Sequence, residues 1–174
     1  MRMRMLLALA SLLWAAPAPA AVIAYVTAPT TVGIGAQFDV ELRATLGDPV
    51  VGWGLDLGFD PAVVQRVTPT TIGSDWLAVS ASDGDGLAGI SLTGLTGDRR
   101  LAIVRFQAIA LGSTGFVLSD TMADLSEGFA LDPSGFASVQ YQSATTQVVP
   151  EPGTALLVAL GVAGITARRR SRAR

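Results

Sequence analysis

Carboxylates and hydroxyls carry nearly all the reactive chemistry open to this chain, because its 174 residues include no cysteine, no histidine and no lysine. Without cysteine there are no disulfides, thiol nucleophiles or thiolate metal sites. Without histidine the chain lacks the side chain that titrates near neutrality and the commonest transition-metal ligand. Without lysine there is no Schiff-base chemistry. A pair of carboxylates, the minimum that glycoside hydrolysis requires, is what remains for catalysis. The acids fall mostly on expected turns or wet strand faces, where nothing tunes them for such work, so the chain reads as a non-enzyme without a cofactor. One cluster hints at a metal. Asp83-Gly84-Asp85-Gly86 sets carboxylates at alternate positions beside flexible glycines, as the start of a calcium loop does. A full loop needs further oxygen ligands and a closing Glu, which Leu87-Ala88-Gly89-Ile90 does not supply, and Asp75 is the only other acid nearby. A glycine-rich turn accounts for the same residues. Among the tryptophans, Trp76 follows Gly73-Ser74-Asp75 outside any clear pattern; it is a better candidate than Trp53 for stacking on a sugar, though packing is the reading favoured for it too.

The charge is unevenly placed. Every basic residue is arginine, and seven of the twelve lie at the ends: Arg2, Arg4, Arg168, Arg169, Arg170, Arg172 and Arg174. Between Val22 and Val149 there are 13 acidic residues against five arginines, a net charge of −8. Such a domain repels phosphate backbones, which argues against nucleic acid as a partner. At the amino end, Met1-Arg2-Met3-Arg4, an apolar run from Met5 to Ala16 and Pro17-Ala18-Pro19-Ala20 are the three parts of a secretory signal peptide. Signal peptidase is expected to cut after Ala20, with Ala18 and Ala20 as the small residues it reads and Ala21 as the fallback. That sets the signal at residues 1–20 and the domain at 21–148.

The carboxy end, residues 149–174, holds the residues with the most pointed chemistry. Pro150-Glu151-Pro152 precedes an uncharged stretch from Thr154 to Ala167, and the Arg168–Arg174 cluster follows. Fourteen residues of helix span about 21 Å, short of the roughly 30 Å hydrocarbon layer, though snorkelling arginines extend the reach. By the positive-inside rule the arginines stay cytoplasmic and everything before Pro150 lies outside. The rigid Pro-Glu-Pro is then presented at the outer membrane face. This tail resembles the PEP-CTERM sorting signal, which is built from these three parts in this order. The resemblance implies recognition of Pro150, Glu151 and Pro152 by an exosortase, a membrane cysteine protease, in a Gram-negative bacterium that makes exopolysaccharide. It also implies a passage from inner-membrane anchor to cell surface or extracellular matrix.

The elements between the ends follow a period of two. Phe38, Val40, Leu42 and Ala44 share one side of Gln37–Thr45, and Trp53, Leu55, Leu57 and Phe59 one side of the next strand, which makes Trp53 a core residue. Further strands are expected at Val22–Thr27, Val63–Thr68, Trp76–Ser80, Leu87–Leu95, Leu101–Ala110, Thr114–Ser119 and Ala137–Val148. Gly47-Asp48-Pro49, Gly97-Asp98 and Gly112-Ser113 read as breaks between them. About nine strands without an amphipathic helix point to an all-β fold, an antiparallel jelly-roll-type sandwich flanked by the signal helix and a transmembrane helix. Asp60-Pro61 reads as a capped structural turn, and the acidic loop of Asp120, Asp124 and Glu127 is given no role.

The stretches "VTAPTTVGIGAQFDVELRA" and "VVGWGLDLGFDPAVVQRV" resemble the opening of cohesin-like domains, with Phe59-Asp60-Pro61-Ala62-Val63-Val64 the most telling part and Leu101–Phe106 a later echo. The resemblance implies a nine-stranded jelly roll related in architecture to carbohydrate-binding modules. Together the two resemblances imply a non-enzymatic surface or matrix protein whose sandwich contacts exopolysaccharide or another surface protein. A carbohydrate-binding module acting through Trp76 and a secreted two-carboxylate hydrolase are the alternatives from other functional classes.

Overall fold

The computed structural model describes residues 22–79, 87–121, 124, 126–151, 153, 156–158, 160 and 161. Eleven strands make up the described fold: β1 (Val22–Thr27), β2 (Thr31–Gly33), β3 (Gln37–Gly54), β4 (Asp56–Gly58), β5 (Val64–Ile72), β6 (Leu77–Ala78), β7 (Ala88–Ala108), β8 (Gly112–Ser119), β9 (Gly128–Leu131), β10 (Val139–Gln142) and β11 (Ala144–Val149). One sheet runs β10-β1-β3-β7-β5, with β6 added to β7 and β9 to β3; the second runs β2-β11-β8-β4. Most pairs are antiparallel. Two are parallel, β1 with β10 and β2 with β11, so the terminal strands of the domain close both sheets together.

Alternation builds the core where the sequence shows it. Phe38, Val40, Leu42, Ala44 and Leu46 all point inward from β3, and the outward residues between them meet water, as expected for a half-buried strand. Four phenylalanines fill the space between the layers. Phe106 packs against Phe59 at 4.9 Å and Phe116 at 5.0 Å, and Phe38 lies 6.1 Å from Phe106. Such offset and edge contacts add to the area the rings bury.

Two expected breaks prove to be bulges. Gly47-Asp48-Pro49 and Gly97-Asp98 do not end strands: β3 and β7 run on past them, paired from Gln37↔Gln107 to Gly54↔Ala88, with register shifts between Leu46 and Val50 and again before Gly52. Gly97 lies opposite Leu46 with φ of +78°, a conformation that glycine adopts without strain. The extra residues add bend and twist to the paired strands without taking either out of the sheet. The expected strand from Trp53 to Phe59 is likewise divided. β3 ends at Gly54, and after Leu55 the chain enters β4, which pairs with β8 in the other sheet. Gly54 permits the crossing, because a side chain there would collide with the Ser126 carbonyl.

Candidate functional site

Beyond the bulges, β3 and β7 present an outward surface unlike the rest of the domain. Leu77 of β6 pairs with Ile90 of β7, Ile90 with Gly52 of β3, and Gly52 with Ala130 of β9, which bridges to Phe136. Directly opposed residues in a sheet project to the same side, so these five form one apolar row across four strands. Leu77 is 56% exposed, Ile90 41% and Phe136 50%, and Leu92 beyond them is 87% exposed. Gly52 makes the row concave: a side chain there would lie only 3.6 Å from Ile90 and 3.8 Å from Ala130. Val79 and Phe136 wall the resulting groove of about 210 Å³.

Before the bulges, the outward face of the same strands is charged. Arg105 donates to Asp39 through Nε at 2.7 Å and a terminal nitrogen at 3.0 Å. Arg43 donates to Asp98 at 2.6 Å and to Glu41 at 3.1 Å, and the Tyr25 hydroxyl donates to Asp98 at 2.9 Å. Arg100 lies 3.6 Å from Glu41. The hydrogen bonds from Arg105 hold the Asp39 carboxyl below its usual range, and those from Arg43 do the same for Asp98.

The residues singled out in the sequence are scattered over the fold. Trp76 packs into the core, the reading favoured for it from the sequence. It is 5% exposed, packs edge-on to Trp53 at 6.3 Å and donates its indole N–H to the Arg100 carbonyl at 3.1 Å, so neither ring face is open to a ligand. Trp53 is a core residue as expected, and Gly89 lies beneath it, where a side chain would come within 2.8 Å of its Nε1. Asp75 is bound to Arg99 at 3.1 Å. Asp83 and Asp85 lie outside the described residues, as do Ala18 and Ala20, and no cluster of metal-ligating side chains occurs among the described residues. The Asp60 carboxylate accepts the Ala62 amide at 2.9 Å, the capped turn its sequence suggests. In the acidic loop, Asp120 accepts from the Tyr141 hydroxyl at 2.8 Å, Asp124 from the Ser126 amide and hydroxyl, and Glu127 from the Thr121 amide. Burial and the neighbouring Asp120 carboxylate raise the Tyr141 phenol well above its ordinary value. These carboxylates hold loops in place.

The tail departs directly from the fold. Val148 is 1% exposed inside β11, and β11 stays paired with β2 through Val149↔Gly33. Pro150 and Glu151 follow at once, with Glu151 Cγ 3.7 Å from where a side chain on Gly33 would begin. Pro152 lies outside the described residues; Gly153, 156–158, 160 and 161 are helical. Among the described residues no helix is long and apolar enough to cross a membrane.

The sandwich has the cohesin fold. A cohesin module from a Clostridium perfringens family 33 glycoside hydrolase superposes with a TM-score of 0.62 at 13% identity, covering 75% of this chain and 98% of that one. A type II cohesin domain from the cellulosome of Acetivibrio cellulolyticus gives 0.51 at 14% identity, with 71% and 95% covered. The cohesin of a type II cohesin–X–dockerin complex from the same organism gives 0.52 at 14%, with 74% and 99% covered. No curated protein matches the chain. The tail adds the second half of the description: residues 148–170 match the PEP-CTERM protein-sorting motif. The chain thus joins a cohesin-like β-sandwich to a PEP-CTERM sorting tail, the marks of a surface protein sorted by an exosortase.

Proposed function

We propose that this protein is a non-catalytic adhesive module of the cell surface or extracellular matrix, delivered by exosortase processing at Pro150-Glu151-Pro152 and docking another surface protein on its apolar row. The observation that carries the reading is that row, exposed on an otherwise acidic domain. Soluble domains seldom leave adjoining large apolar side chains in water unless a partner covers them. The cohesin likeness supports a protein partner over a glycan, since one neighbour is the cohesin of a cohesin–X–dockerin complex. Burial of both Trp53 and Trp76 takes these two tryptophans away as the stacking platforms that a carbohydrate-binding module would use.

The two halves are tested separately. Mass spectrometry of the mature protein from cells with and without the exosortase reads the sorting half. The expected product lacks the Arg168–Arg174 cluster only when the protease is present, and an intact Arg174 terminus in competent cells would overturn it. For the docking half, Ile90→Asp with Phe136→Asp should release the processed protein from the surface fraction into the medium, whereas Arg105→Gln should not. Equal retention of the double variant, Arg105→Gln and the unaltered protein would refute a partner on this row.

A further inference from the structure

The end of the sandwich from which the tail leaves is built unlike the rest of the domain. Three segments meet there. The turn Gly33-Ile34-Gly35-Ala36 is tied to the loop after β7, with the Gly35 amide donating to the Ala108 carbonyl at 2.8 Å and the Ala108 amide to the Ala36 carbonyl at 2.9 Å. The Ile109 amide donates to the Val63 carbonyl at 2.9 Å, which brings in the Asp60 turn. Gly112 pairs with Val148, and Gly33 with Val149, which places all three segments around the exit of the tail. From Gly33 to Gln37 and from Gln107 to Thr114 there is no charged residue, although the domain as a whole carries a net charge of −8. Among the described residues the acids at this end are Asp60, whose carboxylate caps its own turn, and Glu151 of the tail itself, beside Gly33. Ile109 is 43% exposed and Leu111 55%, both beside the exit and away from the apolar row on β3 and β7.

Chain length restricts how far this end can stand from the bilayer. Only Pro150, Glu151 and Pro152 separate Val149, the last strand residue, from helical Gly153. Four Cα–Cα steps extend at most about 14 Å, and the headgroup layer of one leaflet is itself roughly 5–7 Å thick. We propose that, until the tail is cut, the domain rests end-on against the membrane with Ile109 and Leu111 inserted among the lipid headgroups, so that Pro-Glu-Pro is presented to the protease in one fixed orientation. This rests on the reading that the tail enters the bilayer. The uncharged tip is what makes the posture tolerable: elsewhere the surface carboxylates would have to give up water, which costs far more than transferring aliphatic side chains recovers.

The absence of cysteine makes a direct test clean. Leu111→Cys, Ile109→Cys, Leu77→Cys and Leu157→Cys would each be labelled with an environment-sensitive fluorophore in the full chain. Each would be reconstituted in phosphatidylcholine vesicles and quenched either by aqueous iodide or by headgroup-level nitroxide lipid. The probes at 109 and 111 should be quenched several-fold more by the lipid than by iodide, with the reverse order at 77 and lipid quenching at 157. Iodide quenching at 111 as strong as at 77, with 157 in lipid, would overturn the end-on posture alone. An iodide-accessible probe at 157 would overturn the membrane tail beneath it. Protection at 111 that arises only when the exosortase is added would assign the tip to the protease and overturn the lipid contact. Leu111→Ser, whose polar side chain should restore iodide access to the Ile109 probe, guards against a labelling artefact.

Discussion

Strands β3 and β7 each carry two outward faces of opposite character, separated by the paired bulges at Leu46 and Gly97. On one side, the exposed carboxylates Asp39, Glu41 and Asp98 lie against Arg43, Arg100 or Arg105. On the other, Ile90, Leu77 and Phe136 surround a glycine with no charge among them. The backbone ladder is the same in both. The difference lies in what each face leaves to water: the charged face pairs its own polar groups, whereas the apolar face leaves large aliphatic and aromatic side chains exposed. An acidic domain can thus carry charged and apolar faces on the same pair of strands.

The sharpest way to break this comparison is to remove the core that both faces share. Phe106 is fully buried and touches three other phenylalanines. Phe106→Ala should cost about 3–5 kcal/mol, with both faces lost in a single denaturant transition; two separate transitions would show the halves to be independent. Gly89→Ala strikes the apolar half alone, pressing a methyl on Trp53 and Trp76, and should cost roughly 1–3 kcal/mol by the same measurement. Replacing Ile90 and Phe136 by Ser should change stability by only about 1 kcal/mol or less each, yet abolish binding of a fluorescent apolar dye. Asp39→Asn should leave dye binding as it was.

Acid gives the smallest effect and probes the charged half. Because the folded Asp39 and Asp98 have depressed pKa values, their contribution is fully present above the unfolded aspartate value of about 3.9. It drains away as pH falls through the lower folded values. The exposed Arg43–Asp98 pair should account for roughly 0.2–1 kcal/mol, so Arg43→Gln should flatten the loss of stability below about pH 4 by that amount. An unchanged acid profile would mean that the pair contributes nothing.

The alternation of Phe38, Val40, Leu42 and Ala44 was readable because a half-buried strand imposes its period on the sequence. The bulges were not. Gly47-Asp48-Pro49 and Gly97-Asp98 have turn composition, and only their position opposite each other in a ladder makes them bulges. β2, with three residues, and β9, with four, are too short to show a period. The apolar row was hidden for another reason: Leu77, Ile90, Ala130 and Phe136 come from distant segments, each unremarkable alone. A faint signal existed in Leu87–Leu95, where apolar residues occupy both parities, as a strand buried on one side and sticky on the other requires. The packing of Trp76 left no periodic mark because its partners, Trp53 and the Arg100 carbonyl, lie far off in sequence.

The strand that leads into the tail also has a mechanical consequence. β11 is gripped on both sides, by five residue pairs to β8 and three to β2. Antiparallel ladder bonds lie across the strand, so drag transmitted along β11 loads the whole ladder in shear, and no single bond fails first. A sideways pull would unzip them in turn. A domain held by its last strand is therefore strongest against a pull along that strand.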